Sequence, residues 1–205
     1  LSVVRSANLI IIVVDNKTQG KIIDIKDELY QFGIRLDQSR PKVFINKQNQ
    51  GGIKVAASTR LTHFSLDTVK AMAPEFKIRN GEIVIKEDIS LDQLVDSFMG
   101  NCCYLPYLVV INKVDLIIRP DNHGLQAIFI SAKNGIGLDL LRESIWEKLD
   151  LMRLYLKPLN GETDFDHPLI IKNNLTLNKI LADLNFEAKD AVKKAKVYGS
   201  GAKFP

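Results

Sequence analysis

Apolar and polar residues follow one another along this chain in blocks that predict alternating strands and helices. One continuous apolar run ends at Asp15 and another ends at Asn112. Runs of this kind are typical of parallel strands that are covered on both faces. Apolar residues spaced three and four apart follow the first run and predict an amphipathic helix that ends at Gly33. Strands that alternate with helices predict an α/β fold with a parallel sheet.

Residues 40–100 have a different pattern, with short strand-like runs and two helical stretches. Gly51 and Gly52 separate two of the strand-like runs and predict a hairpin turn. Ser65 and Ser90 precede the helical stretches and are of the residue type that caps helices. We therefore expect an α+β lobe here, inserted between the two parts of the α/β domain.

The α/β pattern resumes after the lobe and gives way to a third pattern near the C-terminal end. Short strands, a helix starting at Thr176 and a basic stretch fill this last part. The expected organisation has four segments, namely 1–39 and 101–151 of the α/β domain, the lobe 40–100, and a C-terminal domain 152–205.

Composition narrows the class of protein and its compartment. The chain has 205 residues, 46% of them hydrophobic, which is enough for a real core. Its longest apolar run is far shorter than the roughly 20 residues of a membrane helix, so we expect no membrane partner. Cys102 and Cys103 are adjacent, and His63, His123 and His167 occur singly. These patterns favour a reducing, cytoplasmic compartment and assign no metal ligand.

The net charge of +4 lies mainly at the C-terminal end, where residues 153–205 hold nine Lys/Arg against six Asp/Glu. A stripe of lysines there faces either RNA phosphates or only solvent, and the sequence leaves both readings open. The lysines are Lys189, Lys193, Lys194, Lys196 and Lys203.

The polar residues after the second apolar run are suited to binding a guanine base. Ligands of parallel sheets bind beyond the carboxyl ends of the strands, which is where Asn112, Lys113 and Asp115 are expected. The Asp115 carboxylate can accept both N1–H and the exocyclic amino group of guanine, a donor pair that adenine lacks. Lys113 can lay its aliphatic stem on one face of the base, and Asn112 can tie neighbouring backbone segments together.

A second expected strand ends at Ser131, Ala132 and Lys133, beside the first strand end. The backbone N–H of Ala132 would suit the O6 acceptor of guanine, and Lys133 could cover the opposite face of the ring. Asp15 ends the first strand and either faces the same ligand or caps the turn that follows it. No residue of the chain is assigned a catalytic role.

The text "INKVDLI", followed by "FISAKNGIGLDLL", resembles the fourth and fifth nucleotide motifs of the translation-factor class of GTPases. Within that class, "LSVVRSANLIIIVVD", "GIRLD" and most of the remaining chain resemble the developmentally regulated GTP-binding (DRG) branch of the Obg family. The resemblance implies a P-loop-GTPase-like sheet, an inserted α+β lobe and a C-terminal TGS domain of the β-grasp type.

The resemblance also implies a function in two parts. GTP or GDP would be the ligand, and the intact protein would hydrolyse GTP with magnesium and act around ribosomes. The TGS domain would contact the ribosome or RNA, with a regulatory protein as a further partner. The alternative is a non-catalytic module that binds RNA or protein through the lobe and the TGS domain.

The phosphate-binding signature of these GTPases, G-x-x-x-x-G-K-[ST], is absent from the sequence. We therefore expect a portion of a GTPase trimmed at both ends, which by itself does not hydrolyse GTP. Magnesium would bind only in the intact protein.

Overall fold

The computed structural model describes residues 2–116, 126–157, 161–173, 175–176 and 179–180. The chain divides into two compact units, Leu1–Lys148 and Leu149–Pro205. The first unit is a mixed α/β structure with parallel strands, so the predicted α/β class is confirmed. Within the described part of the chain, every helix is too short or too polar to cross a membrane.

The first unit contains five helices, two 3₁₀ turns and eight strands among its described residues. In chain order these are α1 (Ser2–Arg5), β1 (Ile10–Asp15), α2 (Lys21–Gln31), β2 (Ile34–Leu36), β3 (Val43–Lys47), β4 (Ile53–Ala57), α3 (Leu66–Met72), a 3₁₀ turn (Ala73–Phe76), β5 (Gly81–Ile85), α4 (Leu91–Met99), β6 (Cys103–Leu105), β7 (Tyr107–Asn112), a 3₁₀ turn (Val114–Leu116), β8 (Ala127–Phe129) and α5 (Leu138–Lys148).

The main sheet is parallel and has the strand order β1-β7-β8. Its core combines buried residues of β1, α2 and β7, namely Ile12, Val14, Ile22, Val109 and Ile111. A short parallel pair joins β2, which follows α2, to β6, which directly precedes β7. The central position of β7 explains its buried apolar run.

Strand β1 differs from the expectation that both of its faces are covered. Ile12 and Val14 are buried, whereas the alternate residues Ile11 and Val13 are 38% and 57% exposed. Side chains alternate between the two faces of a strand, so only one face of β1 is packed. The strand is also at the edge of the described sheet, because it pairs only with β7.

A second sheet, between Val43 and Ile85, has the order β3-β5-β4. The predicted hairpin at Gly51 and Gly52 is therefore wrong, since β3 and β4 both pair with β5 and not with each other. Strand β4 is parallel to β5, and α3 lies between them in the chain as the crossover that a parallel pair needs. Ile83 and Ile85 of β5 are fully buried, so this apolar strand occupies the centre.

The helices packed with the second sheet begin where their sequences predict, and α4 also ends where it was predicted to end. The Ser65 side chain accepts the backbone N–H of Thr68, and Ser90 forms a capping box with Gln93. Gly100 ends α4 in the left-handed conformation, with φ of 66°. Apolar side chains of these helices and of β5 form a core of their own, with Val69, Leu94 and Phe98 among its members.

A buried ion pair joins β2 to α4. Arg35 Nε and Nη2 donate to the two carboxylate oxygens of Asp96 at 2.7 and 2.6 Å, and the two side chains are 7% and 5% exposed. Arg35 also donates to the Tyr30 carbonyl at 2.6 Å and lies 3.7 Å from the centre of the Tyr30 ring. The hydrogen bonds to Asp96 hold the pKa of Arg35 above its ordinary value. The second sheet is thereby fixed to the segment that follows α2.

Removing one partner of this pair should destabilise the first unit strongly. Arg35→Met leaves the Asp96 carboxylate buried without its cation, which typically costs about 3–5 kcal/mol. Urea unfolding followed through the single tryptophan, Trp146, measures the loss. Arg142→Met is the control, because Arg142 and its partner Asp139 are 80% and 90% exposed. We expect the control to change stability by less than about 1 kcal/mol, and equal losses in both variants would contradict the role given to the buried pair.

The second unit contains β9 (Leu151–Leu154) and β10 (Leu169–Lys172), which form an antiparallel pair. The Asn173 backbone N–H closes the end of this pair by donating to the Asp150 carbonyl at 2.8 Å. Most of the predicted helix after Thr176, His123 and the five C-terminal lysines lie outside the described residues.

Candidate functional site

The carboxyl ends of β1, β7 and β8 meet at one edge of the main sheet. Asp15 ends β1 opposite Asn112, which ends β7 in the matching register. Ser131 follows β8 after one residue, and the Ile130 N–H donates to the Ile111 carbonyl at 2.9 Å. Parallel pairing thus brings both predicted polar segments to the same place.

Asn112 ties the two strand ends together, as expected from its position. Its Oδ1 accepts the Ala132 N–H at 3.0 Å and the Lys113 N–H at 2.8 Å. Next to this tie, the Val114 N–H donates to the Ile130 carbonyl at 3.1 Å. The Ala132 N–H was expected to face a guanine O6. It already has an acceptor here, which an O6 atom would share or replace.

The remaining predicted residues differ in exposure. Asp115 lies in the 3₁₀ turn after β7 and is exposed, as are Ala132 and Lys133. Ser131 is completely buried, and its Oγ accepts the Asn134 N–H at 3.3 Å. Ser131 therefore shapes the loop from inside, whereas Asp115 and Lys133 present their charges to solvent.

Two glycines shape the loop after β8. The Ser131 and Ile136 backbones pair with each other at 3.0 and 3.1 Å, which closes the loop before α5. Gly137 has φ of 72°, and a Cβ atom there would lie 2.3 Å from the Phe129 carbonyl oxygen. Gly135 has φ of 73° but has open space around it.

These two glycines give a matched pair of substitutions. Gly135→Ala should cost only the left-handed backbone penalty, about 1–2 kcal/mol. Gly137→Ala adds a clash with backbone, which should raise the loss by about 1–3 kcal/mol more. Urea unfolding of the two variants measures the difference, and equal losses would show that the close approach to Phe129 relaxes without cost.

Asp15 is the site residue whose role the sequence left open, and it does more than cap a turn. Its Oδ1 accepts the Lys17 N–H at 3.1 Å and the Thr18 hydroxyl at 2.9 Å, while its Oδ2 accepts Lys113 Nζ at 2.8 Å. Gln19, in the same loop, is 7% exposed, and its Oε1 has no hydrogen-bond partner among the residues described. The sequence pointed to Asp15 through its place at the end of a strand, and in the structure this strand pairs with β7.

The ion pair changes the titration of both partners. The hydrogen bond from Lys113, helped by the one from Thr18, lowers the pKa of Asp15 to about 2. The hydrogen bond to Asp15 raises the pKa of Lys113 above its ordinary value. The pair is therefore fully charged at neutral pH, with its ammonium held towards the end of β1.

The low pKa of Asp15 gives a direct test of the pair. Carbon-13 NMR of the Asp15 carboxyl group should show a midpoint of about 2. The stability that the pair contributes is present above the ordinary value of 3.8 and is lost as the pH falls through this midpoint. In Lys113→Met the midpoint should move towards 3.8. The low pKa of Asp88, caused by Thr62, should not move, and an unchanged Asp15 midpoint would contradict the pairing.

A parallel sheet whose polar strand ends are tied in this way is consistent with a GTPase-like α/β protein. Residues 50–151 match the family described as the C-terminal region of the MMR_HSR1 domain. Relatives from several organisms match almost the whole chain. An uncharacterized GTP-binding protein of Methanocaldococcus jannaschii is 41% identical over 100% of this chain and 55% of its own length. Developmentally-regulated GTP-binding protein 1 of Xenopus laevis is 35% identical over 99% of the chain and 57% of its own length.

Ribosome-interacting GTPase 1 of Saccharomyces cerevisiae is 31% identical over 99% of the chain and 57% of its own length. This chain belongs to the developmentally regulated GTP-binding (DRG) branch of the Obg family. The chain spans somewhat more than half the length of these relatives.

Proposed function

We propose that the tied strand ends bind the guanine base of GTP or GDP. The observation that carries this proposal is the bond from Ala132 N–H to Asn112 Oδ1, which brings the two motif segments to one edge. In this arrangement Asp115 accepts N1–H and the amino group of guanine. Lys113 and Lys133 cover the two faces of the ring, and Ser131 and Ala132 form the wall beside O6.

The proposal extends to a DRG-type role for the intact protein, in which GTP is hydrolysed. The names of the relatives as GTP-binding proteins and as a GTPase support this step. Phosphoryl transfer needs groups that hold the phosphates and a magnesium ion. The phosphate-binding signature G-x-x-x-x-G-K-[ST] is absent from the sequence, so the part proposed for this chain is recognition of the base. By itself, the chain should not turn over GTP.

The remaining segments receive separate roles in this proposal. Residues 40–100 form a lobe inserted into the GTPase domain, which their separate sheet and core support. Residues 152–205 form a TGS domain that contacts the ribosome or RNA. The support for this contact is the name of the Saccharomyces cerevisiae relative, a ribosome-interacting GTPase. The protein would act in the cytoplasm.

Base choice tests the proposal directly on the 205-residue chain. A few hydrogen bonds, each worth about 0.5–3 kcal/mol, oppose an association cost of at least about 4 kcal/mol. GMP should therefore bind with a Kd on the order of millimolar, without any need for magnesium. Asp115→Asn replaces an acceptor by an amide that can donate to the 2-oxo group of xanthine, so the preference should move from GMP to XMP.

NMR titration of the backbone amides with GMP, XMP and AMP measures these affinities. Asp139→Asn removes another exposed carboxylate, from α5, and should leave all of these affinities unchanged. Equal affinities for GMP and AMP in the wild-type chain would refute guanine recognition, and an unchanged ranking in Asp115→Asn would refute the role of Asp115.

A further inference from the structure

Hydrogen bonds from its own loop hold the Asp15 carboxylate in place. Its Oδ1 receives the Lys17 N–H and the Thr18 hydroxyl, and its backbone N–H donates to Thr18 Oγ1 at 3.0 Å. The side chain is 26% exposed. One oxygen is thus occupied by the loop, and the second is directed at the neighbouring strand end.

Lys113 is constrained from its backbone as well as from its tip. Its φ of 64° is in the left-handed region, which residues with a side chain rarely occupy. Such conformations persist where the surrounding structure enforces them, and they are concentrated at functional sites. The Nζ atom is held 2.8 Å from Asp15 Oδ2, yet the side chain remains 59% exposed. Both ends of the lysine are therefore fixed while the stem between them stays accessible.

We propose that Asp15 is a positioning residue that holds Lys113 extended along the strand ends, as a platform for one face of the purine ring. This inference rests on the proposed binding of guanine. A free lysine side chain loses much rotamer entropy when a ligand orders it, and the anchor removes part of that loss beforehand. The face of a base carries no donor and acceptor pattern, so Asp15 should affect affinity without affecting the choice between bases.

The competing reading is that Asp15 only stabilises its loop. Asp15→Asn separates the two roles, because the amide oxygen can still accept from Lys17 and Thr18 while the charge facing Lys113 is lost. Thr18→Val makes the opposite change, since it removes the loop hydroxyl and keeps the Asp15–Lys113 pair. Asp15→Ser keeps a hydroxyl acceptor and serves as a second variant where Asp15→Asn does not fold.

The test compares the wild-type chain with Asp15→Asn, Lys113→Met, the double variant and Thr18→Val. Amide NMR titrations give the Kd for GMP and for IMP, which lacks the 2-amino group, and circular dichroism melting reports folding. Asp15→Asn should weaken both nucleotides by the same factor, about 2- to 10-fold. In the Lys113→Met background it should change neither Kd, because the group through which Asp15 acts is gone. Thr18→Val should weaken both nucleotides less than Asp15→Asn does, because the Lys17 N–H still holds Asp15 Oδ1 and the charge facing Lys113 remains.

Three results would overturn the inference. The first is that Asp15→Asn still lowers the affinity when Lys113 is already Met. The second is that Asp15→Asn changes the Kd for GMP and the Kd for IMP by different factors. The third is that the wild-type chain binds GMP and Asp15→Asn binds it equally well. Failure of the wild-type chain to bind GMP is a different outcome, since it removes the proposed function itself and this inference with it.

Discussion

The parallel pairing of β1 with β7 is the constraint on which the rest of the main sheet depends. Its register runs from Ile10 opposite Tyr107 to Asp15 opposite Asn112. Parallel strands end at the same edge, so this one register brings the polar residues that follow the two strands to the same level. It also buries Ile12 and Val14 together with Val109 and Ile111. Packing of the core and assembly of the site are therefore two results of one alignment.

Features that depend on neighbouring residues were predictable from the sequence. Helix α4 begins at Ser90 and ends at Gly100 because a hydroxyl and a left-handed glycine satisfy its terminal backbone groups locally. The pairing of distant segments was not predictable in the same way. Strands β3 and β4 are separated only by a glycine turn, and nothing in that turn shows that β5 pairs between them. The Arg35–Asp96 pair was missed because a charged residue is on the surface by default.

The candidate site shows the same division between local and distant information. The convergence of Asn112 with Ala132 was expected, because each follows an apolar strand in a parallel sheet. Identifying Asp15 as the partner of Lys113 required the order of the strands, since Asp15 is opposite the end of β7 only when β1 and β7 are neighbours. That the Ala132 N–H already donates to Asn112 is visible only in the atomic structure. Motif residues can thus be identified from a sequence, whereas the residues that orient them can be identified only once the pairing of the strands is known.

The order of the strands has a consequence for how this chain folds during its synthesis. Strand β1 is synthesised before its partner β7, and the whole β2–β6 region, between residue 10 and residue 107, is made between them. At typical rates of translation, the delay is on the order of 5–20 s. During that time the edge of β1 that later pairs with β7 lacks this partner and can pair with another chain. The second sheet, with residues 43–85, is synthesised within the delay, so all of its strands are available for pairing before β7 and β8 of the main sheet are.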